Sequence, residues 1–101
     1  MTIFVAGSVR IKPEQREAAV RAALAMADAT RREPGCRAYR FSADLSDPAV
    51  FYIHEEWDSA EALTRHFETA HMAEFNRHLP AFLAGTPEIT RFEVAAAAPL
   101  G

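Results

Sequence analysis

All four histidines of the chain lie in its second half, close to several aromatic residues. A stretch of alternating residues, Phe51 to Trp57, includes His54 and Glu55, and His66 and His71 follow soon after it. An imidazole has an unperturbed pKa of about 6.5, so it can take up and return a proton near neutral pH. If these groups converge on a pocket, they suit work on a small acidic aromatic or enolic molecule.

His66 is the first candidate for a general base. It adjoins Leu63 and Phe67, which form the apolar stripe of a predicted helix, so we expect its ring at the edge of the buried face. His71 lies where a second short helix begins, and the positive end of a helix disfavours a charged imidazole there. Each of the two also fits a histidine with a purely structural role.

The strand that ends at Trp57 presents different groups on its two faces. Glu55 and Trp57 share one face, and His54 lies on the other, which is either a pocket or a partner interface. A carboxylate that points inward needs a partner, such as Arg91 or a histidine. The candidate catalytic residues are His66, His54 and His71. The candidate substrate-binding residues are Tyr52, Glu55, Trp57, Phe67, Phe75 and Arg91.

Metal ligands are not predicted from these spacings. His66 and His71 are five positions apart, whereas ligands on one helix face are three or four apart, and Cys36 is the only cysteine. We therefore expect no metal, and the chain has no glycine-rich phosphate loop that would indicate a nucleotide cofactor. The lone cysteine also excludes a disulfide within the chain.

Charge and hydropathy exclude several classes of protein. The net charge is -3 and the longest basic run is Arg31 with Arg32, which argues against binding to nucleic acid. The first residues have no basic cluster and only a short alternating apolar run, so they predict neither a signal peptide nor a membrane span. These features favour a cytoplasmic protein with no membrane partner.

The hydrophobic periodicities predict an α+β fold of the ferredoxin-like β-α-β-β-α-β type with an antiparallel sheet. We expect a single domain over residues 2–95 and a frayed tail over 96–101. Asp58 and Glu61 resemble a capping box, and Pro80 predicts a kink or an early end in the last helix. The predicted elements are strands 2–11, 36–44, 49–57 and 88–95, a helix from Pro13 to before Pro34, and two short helices after Asp58.

The sheet is expected to be apolar on both faces, because one face packs on the helices and the other also carries large side chains. Depending on the register between strands, the face away from the helices carries either Phe4, Tyr39, Phe41 and Tyr52, or Ile3, Val5, Phe51 and Trp57. Such a sheet needs a second cover, and another copy of the chain is the simplest one. We therefore predict a homodimer whose sheets pack face to face.

These features together resemble the antibiotic biosynthesis monooxygenase (ABM) family, which includes quinol monooxygenase-like proteins. The matching segments are Glu33-Pro34-Gly35-Cys36, Asp47-Pro48, Phe51 to Trp57, and Ala62-Leu63 through His66, His71 and Phe75. The resemblance implies a dimeric α/β barrel with a pocket between the sheet and the helices of each protomer. It also implies oxygenation of a quinol or polyphenolic, polyketide-like substrate by dioxygen without metal or flavin.

Three other functions are open to a member of this family. Haem degradation is disfavoured, since the family positions for its tryptophan and its haem ligand read His66 and Asn76, and its asparagine maps near Gly7 or Ser8. A non-catalytic barrel that binds a small molecule, or acts in stress, fits the same histidines in structural roles. An isomerase of a small hydroxy-carbonyl metabolite needs only proton transfer, so it would turn over without oxygen.

Overall fold

A computed structural model describes residues 1–101 and has the predicted order of elements. The strands form one antiparallel sheet in the order β2-β3-β1-β4, and all helices pack on one side of it, so the ferredoxin-like α+β prediction is confirmed. The elements are β1 (Thr2–Arg10), a 3-10 turn (Pro13–Gln15), α1 (Arg16–Thr30), β2 (Cys36–Ala43), β3 (Val50–Trp57), α2 (Ala60–Phe67), α3 (Ala70–Phe82) and β4 (Glu88–Val94).

The core lies between the helices and the face of the sheet that carries Trp57. Trp57 is completely buried and Leu63 of α2 is almost so. Burying a side chain of the size of Leu63 stabilises the fold by about 1.5–3 kcal/mol. The main core cluster consists of Ile3, Val5, Met26, Ala27, Tyr39, Ile53, Trp57, Ala62 and Leu63.

The opposite face of the sheet, called here the open face, has no helix over it. It carries Phe4, Tyr52 and Phe92, of which Tyr52 and Phe92 are about half exposed. Of the two sets of residues considered for this face, the one that grouped Tyr39 and Phe41 with Phe4 and Tyr52 was half right, because only Phe4 and Tyr52 lie here. The register pairs Tyr39 with Glu55 and Phe41 with Ile53, and this puts both rings on the helix-covered face. Periodicity gives the alternation within one strand, but not the register between two strands.

Two predicted helical stripes also need correction. Leu24 shares the helical spacing of the apolar residues Val20 and Ala27 in α1, which predicts a buried side chain, but it is 66% exposed and Met26 lies in the core instead. Phe67 was expected on the inner stripe of α2 but is 56% exposed. Both residues lie next to the buried face of their helix, which in α2 consists of Ala62, Leu63 and His66, and not within it. No helix of the protein combines the length and apolar character needed to span a membrane.

The ends of α2 and α3 differ slightly from the prediction. The N-cap of α2 is Ser59, whose hydroxyl accepts a hydrogen bond from the Ala62 amide at 3.2 Å, so the cap is one residue later than Asp58. Helix α3 continues through Pro80 to Phe82, where the chain becomes extended. Of the two effects expected of Pro80, a kink or an early end, the early end was wrong, because the helix ends two residues after the proline.

Gly7 interrupts the alternating apolar residues of β1, a pattern that predicts a bulge or the close approach of a ligand. It lies in a regular stretch of β1, paired with Ile53 on one side and Ile89 on the other. A Cβ atom at this position would collide with the backbone of Glu88 and Ile89. The absence of a side chain therefore allows β4 to approach β1 closely.

Candidate functional site

The loop between α1 and β2 brings an acidic side chain beneath the two C-terminal helices. Glu33 starts the sequence Glu-Pro-Gly-Cys, and Gly35 in it has a φ of +85°, which favours glycine. A Cβ atom on Gly35 would lie 2.6 Å from the Cβ of Ala62 in α2. The loop also accepts a hydrogen bond at the Gly35 carbonyl from the Asp58 amide at 2.9 Å. These contacts hold the loop against the start of α2.

One carboxylate oxygen of this loop contacts two imidazoles. Glu33 Oε2 lies 2.7 Å from His66 Nδ1 and 2.7 Å from His71 Nε2. An ionised carboxylate only accepts hydrogen bonds, so both of these ring nitrogens carry the hydrogen. His66 Nε2 and His71 Nδ1 are then the ring atoms with a free lone pair. We call Glu33, His66 and His71 the Glu-His-His cluster.

The break between α2 and α3 explains how two histidines five positions apart converge. The Thr69 hydroxyl donates to the His66 carbonyl at 2.8 Å at the end of α2, and it accepts from the Met72 amide at 3.2 Å as the N-cap of α3. His66 is on the last turn of α2 and His71 on the first turn of α3. Residues five positions apart point in different directions on one continuous helix, but His66 and His71 lie on two separate helices and can share a site.

The three members of the cluster differ in their access to solvent. The side chains of His66, Glu33 and His71 are 1%, 10% and 27% exposed. The His66 ring packs 4.9 Å from the Trp57 ring and 5.6 Å from the Tyr39 ring, between centroids. His71 is therefore the member that a molecule from solvent reaches first, while His66 and Glu33 lie behind it.

Glu55 is a second buried carboxyl group near the cluster. The Trp57 indole nitrogen donates a hydrogen bond to Glu55 Oε1 at 2.9 Å. Burial raises the pKa of Glu55 to about 7; the Trp57 hydrogen bond opposes this rise, and the charge of Glu33 adds to it. The expected partner, Arg91 or a histidine, was wrong, because the side-chain partner of Glu55 is Trp57, and Arg91 is exposed on β4, which β1 separates from β3.

Two of the candidate residues lie on the open face of the sheet, away from the cluster. His54 Nε2 is 2.8 Å from Glu56 Oε2, and the Tyr52 hydroxyl donates to Asp44 Oδ1 at 2.6 Å. His78 is exposed on α3, where it contacts Glu74 at 2.9 Å. The structure thus brings together His66, His71 and Trp57, and it leaves His54, Tyr52 and Arg91 apart from them.

A small groove between α1 and α3 reaches one member of the cluster. Its volume is about 240 Å³, and it is lined by Ala22, Ala25, Met26, His71, Glu74, Phe75 and His78. Phe75 also contacts Phe41, with 6.0 Å between the ring centroids. A second groove, between α1 and β2, has a volume of about 210 Å³ and includes Arg16 and Arg31 but no histidine. The first groove is therefore the one that adjoins the titratable groups.

Comparison with known proteins agrees with the fold and identifies the family. The sequence model of the family described as antibiotic biosynthesis monooxygenase (ABM) matches residues 2–78, which include the whole Glu-His-His cluster. The chain belongs to the ABM family. This family includes monooxygenases, and the family itself does not fix a substrate.

Individual relatives of this ABM protein cover nearly all of it. The uncharacterized protein sll1783 from Synechocystis is 33% identical over 92% of the chain, which spans 63% of that protein's length. YcnE from Bacillus subtilis is 26% identical over 92% of the chain and 98% of its own length. The crystal structure of PA3566 from Pseudomonas aeruginosa superposes with a TM-score of 0.85 at 29% identity, covering 94% of this chain and 95% of that one.

Glu33 is the site residue that sequence reasoning did not select. It was noted only as part of the Glu-Pro-Gly-Cys segment, where proline and glycine indicate a turn. The sequence did contain a signal for Glu33 as a site residue, because an acidic residue before a tight turn is held close to the elements that pack on that turn. Its two partners, however, lie more than thirty positions further along the chain. Only the packing of α2 and α3 on the loop brings them to it.

Proposed function

We propose that this ABM protein is a cofactor-independent monooxygenase that acts on a small quinol. The observation that carries the proposal is the shared contact of Glu33 Oε2 with His66 and His71, where His71 also lines an apolar groove. A histidine whose one ring nitrogen is held by a carboxylate is oriented as a base at its other nitrogen. Membership of a family that includes monooxygenases supports oxygen chemistry at this base.

The reaction needs only a proton acceptor from the protein. Loss of the phenolic proton makes the quinol ring electron-rich, and the ring then passes an electron to dioxygen. Recombination forms a carbon–oxygen bond, and cleavage of the oxygen–oxygen bond follows. One quinol and one dioxygen give one hydroxyquinone and one water, so the substrate supplies all the electrons. The base takes up the first proton and returns it to the departing oxygen.

His71 is the base that this geometry favours. The sequence favoured His66, but the side chain of His66 is 1% exposed and sealed by Trp57 and Tyr39, whereas His71 is 27% exposed in the groove. With His71 Nε2 bound to Glu33, His71 Nδ1 is left to accept the substrate proton. The Glu33 carboxylate would then stabilise the imidazolium, since a hydrogen bond between charged groups is about twice as strong as a neutral one.

The size and lining of the groove favour a small substrate. Its volume of about 240 Å³ is just below the ~300–1,000 Å³ common for ligand pockets. Met26 and Phe75 offer apolar contacts to an aromatic ring. A quinol with one or two rings therefore fits better than a large polyketide.

The proposal includes a homodimer formed through the open face of the sheet. Phe92 and Tyr52 are half exposed there, and six of the seven residues of β4 are exposed. A monomer of 101 residues also gains stability by burying such a face against a second copy. The groove between α1 and α3 is on the other side of the sheet, so dimerisation leaves it open.

Oxygen uptake by metal-stripped protein on a panel of one-ring and two-ring quinols tests the function. We expect uptake above autoxidation that falls about a hundredfold or more in His71→Asn, because general base catalysis contributes about that much. His78→Asn is the matched control, since His78 borders the same groove but contacts only Glu74, and it should retain most of the rate.

Three other outcomes would change the proposal. Uptake that is unchanged in His71→Asn but lost in His66→Asn would return the base to His66. Turnover of a hydroxy-carbonyl compound that persists without oxygen would favour the isomerase. If no quinol gives enzyme-dependent uptake while one raises the melting temperature, the protein is a binding module and the cluster is structural.

A further inference from the structure

The Glu-His-His cluster has the composition of a metal site as well as that of a proton acceptor. One ligand atom from each of Glu33, His66 and His71 lies within 4.8 Å of the other two. We propose that these three side chains bind a divalent transition metal ion such as Zn²⁺. This inference goes beyond the proposed function, because it concerns a ligand that the monooxygenase reaction does not use.

The chemistry of the donor set selects the class of ion. Two imidazole nitrogens and one carboxylate oxygen suit zinc, iron, cobalt or nickel, and three protein ligands leave a position for water. Magnesium and calcium prefer sites built from oxygen ligands alone. An ion of the Zn²⁺ type is therefore expected to bind the Glu-His-His cluster in preference to Mg²⁺.

The geometry of the cluster is close to what such an ion needs. Zinc bonds of about 2.0–2.1 Å in a tetrahedron place ligand atoms roughly 3.4 Å apart. Glu33 Oε2 is already 2.7 Å from each ring nitrogen, so it must move outward slightly while the two nitrogens close on each other. His71 can supply this movement, because its partly exposed ring has room to turn, whereas the His66 ring is fixed by Trp57.

Binding of the ion would change the protonation pattern of the histidines. A metal on His71 Nε2 requires a lone pair there, so the ring hydrogen of the neutral imidazole moves to Nδ1. His71 then has no lone pair to accept a proton from a substrate. The metal-bound form is consequently expected to be inactive as the proposed base, and metal would act as an inhibitor of the reaction.

Titration with Co²⁺ tests the site directly, using protein without a histidine tag. Trp57 is the only tryptophan and its ring lies 4.9 Å from that of His66, so bound Co²⁺ should quench its fluorescence. We expect saturation at one ion per chain, displacement by Zn²⁺ but not by Mg²⁺, and visible absorption typical of nitrogen-ligated Co²⁺. The affinity should fall at least tenfold in Glu33→Gln and in His71→Asn, and it should be unchanged in His78→Asn.

Two other results of the titration would contradict the proposed metal site. Absence of quenching, or quenching that is equal in Glu33→Gln, His71→Asn and the parent protein, would show that the cluster does not bind the ion. A loss of affinity in His78→Asn would place the ion at Glu74 and His78 instead. Circular dichroism checks that each variant is folded. If Glu33→Gln does not fold, the affinity of His71→Asn decides the test, because His71 is only partly buried. The titration needs no turnover, so its result is independent of the oxygen-uptake assay. The cluster can bind Co²⁺ in a protein that oxidises no quinol, and a protein that oxidises quinols can fail to bind Co²⁺.

Discussion

At the scale of single residues, Glu55 shows how strongly burial controls a charge in this protein. The residue is 8% exposed, and its carboxyl accepts one side-chain hydrogen bond, from the Trp57 indole. One neutral donor does not replace the water that a carboxylate loses on burial. The pKa of Glu55 therefore rises to about 7, in spite of the indole.

Glu55→Gln should make the protein less sensitive to pH. The ordinary pKa of the group is 4.5 and its folded value is about 7, so between these values the folded state binds more protons than the unfolded state. The free energy of unfolding of the parent protein consequently decreases as pH rises through this range. At about 1.4 kcal/mol per pKa unit, the total is roughly 3 kcal/mol.

The measurement is urea unfolding of both proteins at several values from about pH 4 to about pH 8. The other titrating groups are common to both proteins, so the difference between the two curves isolates Glu55. We expect the variant to gain roughly 3 kcal/mol relative to the parent over this range. A difference that is constant with pH would mean that Glu55 titrates normally in the folded protein.

At the scale of elements, a helix cap and a tight turn bring the Glu-His-His cluster together. The Thr69 cap ends one helix and starts the next, so that His66 and His71 approach from different directions. The turn at Gly35 holds Glu33 against α2, and its backbone conformation excludes a side chain. The geometry of the cluster therefore depends on backbone contacts as well as on its three side chains.

Gly35→Ala should destabilise the protein by about 2 kcal/mol or more. A residue with a Cβ atom pays roughly 1–2 kcal/mol for a left-handed backbone, and contact with the Ala62 Cβ adds overpacking. Gly85→Ala is the control, because no atom lies within 4 Å of its Cβ position and its φ is not positive. Denaturation with guanidinium measures both; equal midpoints for the two variants would contradict this account.

At the scale of the whole molecule, the sheet is covered on one side only. The helices cover β1, β2 and β3, while β4 is exposed along most of its length. The open face mixes aromatic rings with polar groups such as His54 and Glu56. A partner for this face must accept both, and a second copy rotated by a two-fold axis presents the same mixture.

Phe92→Asp should convert the expected dimer to a monomer. The parent protein should elute with twice the chain mass of 11.2 kDa in size-exclusion chromatography with light scattering. A charge at the half-exposed Phe92 would be buried without a partner in the interface, which is strongly unfavourable. Leu45→Asp is the control, since Leu45 is fully exposed in a turn, and it should not alter the mass. A monomeric parent protein would exclude the dimer.

Much of the fold could be predicted because periodicity and turn residues are local signals. The alternation of Phe51 to Trp57 gave the third strand, and Pro34 with Gly35 gave the end of the first helix. The errors concern quantities that depend on neighbours. Leu24 and Phe67 lie at the edges of their apolar stripes, where packing against neighbouring elements decides burial. The face of the sheet that Tyr39 shares with the residues of other strands depends on the register between strands, which the alternation within one strand does not give.

The sequence by itself determined the order of elements and the family, and it named His66 and His71 among three candidate histidines. Each of these depends on residue type and short-range spacing, which the chain carries directly. Only the tertiary structure selected Glu33 as their common partner, placed Trp57 over His66, and sent His54 to the opposite side of the sheet. These facts depend on how a loop, two helices and a sheet pack together, and such long-range contacts are fixed by the burial of the whole core rather than by any local pattern.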